Sequence, residues 1–315
     1  ADAAGLGPIE IKMMTDGGYD KKFSSCVTAA SAIIGPIIPP SNIMIIYASC
    51  VGTVSVGKMF LAGAIPGILL GIAYMIFCYW ISVKRKYPCR KTRATWKEIG
   101  KATWETLPAL LLPIIIMGTI TLGICTATES SAIAVIYSTI VAACKKNLSI
   151  KSFCRACIRS AKAAANVLFI IAISSAMAWA VTTLGVAQAL TNFCVAYINN
   201  KIVFLLFVNV LLLLIGMLLD ASPALLLMVP ILWPVAKTLG IDAIHFGVMV
   251  CFNLMVGTLT PPVGMMLFIV SNVGKVKLSV MYKGILPFVA VAVVVLLLIT
   301  YVPSLTTWLP GVLMP

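Results

Sequence analysis

Long apolar runs separated by short polar and basic connections dominate the chain. Residues 59–83, 107–123 and 285–302 carry no charged side chain, and runs of this length match the roughly 20 residues a helix needs to cross the hydrocarbon layer. Two further apolar stretches are interrupted, one by GPIIPPSN at 35–42 and the other by GTLTPPVG at 257–264. Proline removes a backbone donor and clashes with the preceding turn, so neither stretch can be one unbroken helix. The second break is expected to leave the carbonyls of Gly257, Leu259 and Thr260 without helical partners. In lipid, freed backbone groups survive only where they line a buried cavity or hold a ligand.

The two breaks belong to a repeat. An offset of 222 residues lays Gly35 on Gly257, Pro39 and Pro40 on Pro261 and Pro262, Pro8 on Pro230, Gly18 on Gly240, and Asp20 on Asp242. Met44, Ser49 and Gly52 then fall on Met266, Ser271 and Gly274, and after a one-residue slip Gly63 and Pro66 fall on Gly284 and Pro287. Scattered valine matches in an apolar chain would mean nothing, but glycines and prolines matching together at one offset mark an internal duplication.

Charge orients the copies. Lys12, Lys21 and Lys22 precede the first break, eight Lys or Arg lie within 84–101, six lie within 145–162, and Lys275 and Lys277 follow the second break. With these basic connections on the cytoplasmic side, the first copy enters its broken helix from the cytoplasm and the second leaves its broken helix into it. The repeats are therefore inverted, the arrangement of secondary transporters that alternate access about a midplane site.

Between the copies, residues 107–123 are predicted to cross outward, turn at ICTATES (124–130) and return through 131–144, after which 163–183 cross outward again. Residues 202–239 read as two apolar stretches parted by DASP at 220–223, a re-entrant hairpin with Ser222 as helix cap before Pro223. The offset sets Ala1 and Asp2 just past the tip of an equivalent hairpin, whose first arm is expected upstream of Ala1. The predicted fold is an all-α polytopic membrane protein of inverted repeats, re-entrant helical hairpins and broken transmembrane helices. Its divisions are 1–83 (first repeat), 84–104 (basic connection), 105–200 (connecting scaffold helices), 201–303 (second repeat) and 304–315 (tail).

Composition narrows the function. Of 315 residues 61% are hydrophobic and 10% charged, with a mean hydropathy of +1.09, outside the range of soluble domains. The net charge of +14 sits in short connections between apolar runs, so it argues for membrane orientation and against nucleic acid. The ten cysteines have no metal-ligand spacing and read as small buried hydrophobes. GTVSVGKM at 52–59 approaches a phosphate-binding loop, but Met59 stands where a hydroxyl would hold magnesium. No hydrolase elbow or metalloprotease helix is present either. His245 reads as a satisfied histidine, Glu129 as a cap for the helix after the turn, and Trp80, Trp96, Trp104 and Trp308 as interface anchors.

The remaining chemistry is that of the breaks. Carbonyl and hydroxyl oxygens suit a hard, weakly charged cation, and half-helix N-termini suit a carboxylate, so sodium with an organic anion is the natural pair. Gly35, Ile37 and Pro40 are the candidate sodium ligands of one pocket. Their spacing recurs as Gly257, Leu259 and Pro262 in the other, with Asp220, Ser222 and Thr260 as side-chain contributors. The competing class is a passive channel or a membrane scaffold without coupled transport. A channel needs a continuous polar lining, and a scaffold has no use for duplicated breaks.

ADAAGLG (1–7), GYDKKFS (18–24), GPIIPPSN, TATES (126–130) and GTLTPPVG, in this order, resemble the large membrane subunit of tripartite ATP-independent periplasmic (TRAP) transporters, over 1 to about 303. The resemblance implies a fold like that of the ion-transporter superfamily, moving as an elevator. It further implies a sodium-driven importer of organic acids in a bacterial inner membrane, with two or more sodium sites. The partners it implies are a soluble periplasmic binding protein and a small four-helix membrane subunit, separate or fused. The chain looks most like the sialic-acid branch, with C4-dicarboxylates and other sugar acids open. The family carries a hairpin tip rich in serine and glycine just before the ADAAGLG stretch, so an N-terminal portion is expected to be missing here. Asp2 and Ser41, beside the first tip and the first break, are the substrate-side candidates.

Overall fold

The computed structural model describes residues 2–88, 95–145, 149–185 and 200–314, and every regular element in them is helical. They fall into two compact units, one of Ala1–Pro88 with Ser174–Pro315 and one of Cys89–Ile173.

The first unit opens with α1 (Asp2–Gly5), α2 (Gly7–Asp16), α3 (Lys21–Ala32), α4 (Asn42–Val51) and α5 (Val56–Lys84). The second contains α6 (Trp96–Thr121), α7 (Ala127–Cys144) and the beginning of α8 (Ile150–Thr183), whose end belongs to the first unit. The first unit then continues through α9 (Lys201–Leu218), α10 (Ala221–Thr238), α11 (Ala243–Leu259), α12 (Met265–Gly274), α13 (Leu278–Tyr301) and α14 (Ser304–Leu313). Six of these, α5, α6, α7, α9, α10 and α13, are long and apolar enough to span a membrane.

The duplication is visible in local chemistry. Asp20 caps α3 by accepting from the Lys22 N–H at 3.3 Å, and its counterpart Asp242 caps α11 by accepting from the N–H groups of Ile244 and His245 at 2.9 Å each. The turn before each cap contains a matched glycine in the left-handed region, Gly18 with φ +88° and Gly240 with φ +67°. Pro66 and Pro287 lie inside the matched helices α5 and α13.

Packing repeats the same pairing. α3 lies against α13 as α11 lies against α5, and α3 touches α12 as α11 touches α4. α4 packs on α10, and its counterpart α12 packs on α1 and α2. The half-helix that follows each break thus rests on the hairpin arm of the other copy, the pseudo-two-fold exchange that an inverted repeat requires.

α11 is the axis of the unit, with every residue from His245 to Leu259 buried. α9 and α13 hold it through a polar chain in which Asn253 Nδ2 donates to the Asn209 carbonyl (2.9 Å) and to Asn209 Oδ1 (2.7 Å). Asn209 Nδ2 in turn donates to Thr300 Oγ1 (3.0 Å). In the second unit, α6 and α7 form a helical pair closed by the turn at 122–126. Thr126 and Glu129 form a capping box there, with Glu129 Oε2 accepting from the Thr126 N–H at 2.8 Å, as expected of Glu129.

Candidate functional site

The second break is short. α11 runs to Leu259, residues 260–264 leave the helix, and α12 starts at Met265. The Pro261–Pro262 peptide is cis, as is Pro39–Pro40 in the first break. The Thr260 N–H donates to the Gly257 carbonyl (2.9 Å) and Thr260 Oγ1 to the Val256 carbonyl (2.7 Å), which closes the last turn of α11. The carbonyl of Gly257 is therefore engaged, contrary to the expectation from its distance to the prolines, because α11 tightens into a final i to i+3 bond before it stops. The carbonyls of Leu259 and Thr260 receive no hydrogen bond among the described residues. That of Pro262 accepts from the Tyr282 hydroxyl of α13.

The hairpin of the second copy meets this break directly. Gly216 of α9 faces Gly257, and a Cβ on Gly257 would lie 2.7 Å from the Gly216 Cα, so only glycine fits at this crossing. Gly264, with φ +58°, donates its N–H to the Met217 carbonyl at 3.2 Å. The tip is the pair Leu219–Asp220 between arms of 18 residues each. Asp220, not Ser222, occupies the N-cap position of α10, without a side-chain cap bond. Its extended φ and ψ place it just outside the helix, and Ser222 is already the second helical residue. Asp220 is exposed, and its carboxylate has no hydrogen-bond or ion-pair partner among the described residues. Ser222 is half-buried.

The first break is longer. α3 stops at Ala32, residues 33–41 form turns, and α4 begins at Asn42. Ile34 accepts from the N–H groups of Ile37 (3.0 Å) and Ile38 (2.9 Å). The carbonyls of Gly35, Ile37 and Pro40 receive no hydrogen bond among the described residues. Gly35 and Pro40 are exposed, while Ile37 is fully buried against α5, where a Cβ on Gly63 would lie 2.8 Å from its carbonyl oxygen. Ser41 is buried, donates to the Pro36 carbonyl and accepts from the Met44 N–H at 3.4 Å as the N-cap of α4. Asp2 begins α1, which packs on both α3 and α12. A cavity of about 200 Å3 lies beside this break, lined by Ala3, Leu6, Glu10, Thr28, Ser31 and Ala32. The Thr28 hydroxyl is buried there without a partner among the described residues.

The structure thus joins Leu259, Thr260, Pro262 and the Asp220 tip in one region, and Gly35, Ile37, Pro40 and Ser41 in its counterpart. Both regions offer neutral oxygens, with Asp220 as the carboxylate of the second. That donor set fits a hard monovalent cation. Gly216, Met217 and Tyr282 complete the second region and were not legible as site residues. An isolated glycine within the run LLLLIGML was the one signal available. His245 is satisfied as expected, with Nδ1 2.9 Å from Thr306 Oγ1 and Nε2 donating to the Thr300 carbonyl at 3.2 Å.

Residues 1–305 match the family model described as the DctM component of the tripartite ATP-independent periplasmic transporter. The chain is 40% identical over 316 residues to the sialic acid TRAP transporter permease protein SiaT of Haemophilus influenzae, covering all of this chain and 51% of that relative. It is also 40% identical over 311 residues to the large permease protein SiaM of Vibrio cholerae, covering 98% and 72%. Identity is 34% over 312 residues to the C4-dicarboxylate large permease protein DctM of Pseudomonas aeruginosa, covering 99% and 73%. The chain spans about half the length of SiaT and under three quarters of the other two.

Proposed function

The chain belongs to the DctM component family of tripartite ATP-independent periplasmic transporters, and from that premise we propose that it performs sodium-coupled symport of an organic acid. It is a multi-pass inner-membrane protein with six helices of spanning length and composition. The observation that carries the proposal is the pair of proline breaks, whose carbonyls at Gly35, Ile37 and Pro40 and at Leu259 and Thr260 have no hydrogen-bond donor among the described residues.

Sodium at each break replaces the missing donors and draws the hairpin tip onto it. In the second copy Asp220 and Ser222 supply the tip's oxygens, and Pro262, fixed by Tyr282, supplies a carbonyl at the far side. Gly257 acts through its close fit to Gly216, which sets the distance between tip and break. Ordered tips then form the anion site, with Asp2 at the first tip and Ser41 holding the start of α4, whose positive end faces the substrate. Because sodium favours one conformer, its gradient moves the equilibrium between outward and inward states. Hairpins and broken helices travel together as an elevator, each half-helix carried on the other copy's arm.

The substrate class follows the relatives. Two at 40% identity are named for sialic acid, against 34–36% for those named for C4-dicarboxylates, so a sialic-acid-like sugar acid ranks first. A periplasmic binding protein delivering it and a small four-helix membrane subunit complete the proposed assembly. Counterflow in proteoliposomes with the binding protein tests this reading. Saturable exchange of labelled substrate that requires sodium supports a carrier, and flux that neither saturates nor responds to sodium supports the passive channel instead.

A further inference from the structure

We propose that Asn209 and Asn253 are positioning residues, which set the register of the hairpin arm α9 on α11 and thereby the place of the Asp220 tip at the second break. The inference deepens the sodium reading of that break and rests on it. Within the apolar length of α9 little else fixes a register. From Ile202 to Leu218 the helix contains, besides Asn209 and Gly216, only Val, Ile, Leu, Phe and Met. In a membrane such a surface packs about equally well after a small shift, because lipid and leucine are alike apolar. At the outer end Lys201 Nζ donates to the Gly240 carbonyl at 3.2 Å, but this long exposed side chain can follow a shift. A slip of one residue moves the arm by about 1.5 Å and turns it by about 100°. Either movement carries the tip away from the carbonyls of Leu259 and Thr260.

The hydrogen bonds of the pair run one way only. Thr300 Oγ1 donates to the Leu296 carbonyl (2.8 Å) and therefore accepts from Asn209 Nδ2 (3.0 Å). Asn209 thus turns Oδ1 toward Asn253, whose Nδ2 donates to it (2.7 Å) and to the Asn209 backbone carbonyl (2.9 Å). Flipping either amide sets acceptor against acceptor, so the pair fits a single alignment of the two helices. Asn253 and Gly257 are four residues apart and Asn209 and Gly216 seven, so each asparagine shares a helix face with the glycine of the crossing. The glycines permit close approach, and the amides choose where along the helices it occurs. Stability does not explain the pair. Both residues are buried, and Asn253 Oδ1 has no partner among the described residues. A buried oxygen without a donor lowers stability, and apolar side chains of similar shape at both positions would relieve it. Buried polar residues of this kind specify register in paired helices at some cost in stability.

The test compares the wild type with the double variant Asn209→Leu/Asn253→Leu in the full transporter with its binding protein in proteoliposomes. The double variant should insert and melt at or above the wild-type temperature, while its half-saturating sodium concentration rises roughly tenfold and its maximal rate at saturating sodium stays within about twofold. Thr300→Val is the control. It removes one hydrogen bond but keeps the Asn209–Asn253 pair, so it should lower the melting temperature and leave sodium half-saturation unchanged. Register is read independently of sodium by the distance between nitroxide labels at the exposed positions Leu214 of α9 and Phe268 of α12. One narrow distribution is expected in the wild type and a shifted or broadened one in the double variant. An unchanged distance or an unchanged sodium half-saturation in the double variant overturns the proposal. So does a double variant that fails to insert or melts well below the wild type, which would make the pair a stability element. A wild type without sodium dependence removes the sodium reading itself, and the label distance then still decides whether the asparagines set the register.

Discussion

At the first break α3 ends at Ala32 and nine residues, 33–41, precede α4, whereas at the second α11 continues to Leu259 and five residues, 260–264, precede α12. The matched glycines therefore sit in different structure, with Gly35 in a turn and Gly257 inside the helix. Their surroundings account for it. α11 is clasped by α9 through the Gly216–Gly257 crossing, the Asn209–Asn253 pair and the Gly264–Met217 bond. α3 packs instead on α1, α2, α5, α12 and α13. The first break is stabilised by its own Ser41 cap and by the passage of Ile37 under Gly63. Matched sequence thus sits in breaks of different length, each held by its own contacts.

Several substitutions break this comparison on one side or the other. The largest effect is expected from Gly257→Ala or Gly216→Ala. The added Cβ meets facing backbone that cannot yield, so a destabilisation of about 1–3 kcal/mol or more and loss of transport should follow. Gly71→Ala, with open space around it, is the control and should melt like the wild type in a thermal assay.

Next come Pro262→Ala and Asp220→Ala, which should abolish sodium-dependent uptake while the protein still inserts normally. Full activity in both would remove the second break from the mechanism. Ser41→Ala sharpens the other side. It removes the cap that only the first half-helix has, Gly264 making no side-chain cap for α12, and should cost about 1 kcal/mol of stability. The smallest change is expected from Tyr282→Phe, which loses one hydrogen bond to Pro262, roughly 0.5–1.5 kcal/mol, and should alter the apparent sodium affinity without affecting insertion.

The outline was legible because prolines, glycines and basic connections act locally. Pro39–Pro40 and Pro261–Pro262 both lie in breaks between helices, as their chemistry requires. What the chain hides is partnership across space. Gly216 is unremarkable until α9 meets Gly257. Asn209 and Asn253 lie 44 residues apart and have no reason to be read together until Asn253 donates to Asn209 and Asn209 to Thr300. The helical state of Gly257 and Leu259 was equally out of reach, because local proline chemistry unwinds only the residues from Thr260 onward and α9 fixes the rest. Ser222 was read as the cap from its place before Pro223, yet Asp220 holds that position because the hairpin turns two residues earlier.

The central claim is that each break holds its own sodium ion. Uptake into proteoliposomes containing the full transporter and its binding protein, measured as a function of external sodium, tests it most directly when the wild type is compared with Pro40→Ala and Pro262→Ala. The account predicts a Hill coefficient above one in the wild type that falls toward one in any single variant retaining activity, with no uptake when potassium replaces sodium. A sodium dependence that is unchanged in both variants, or uptake that persists without sodium, would contradict it.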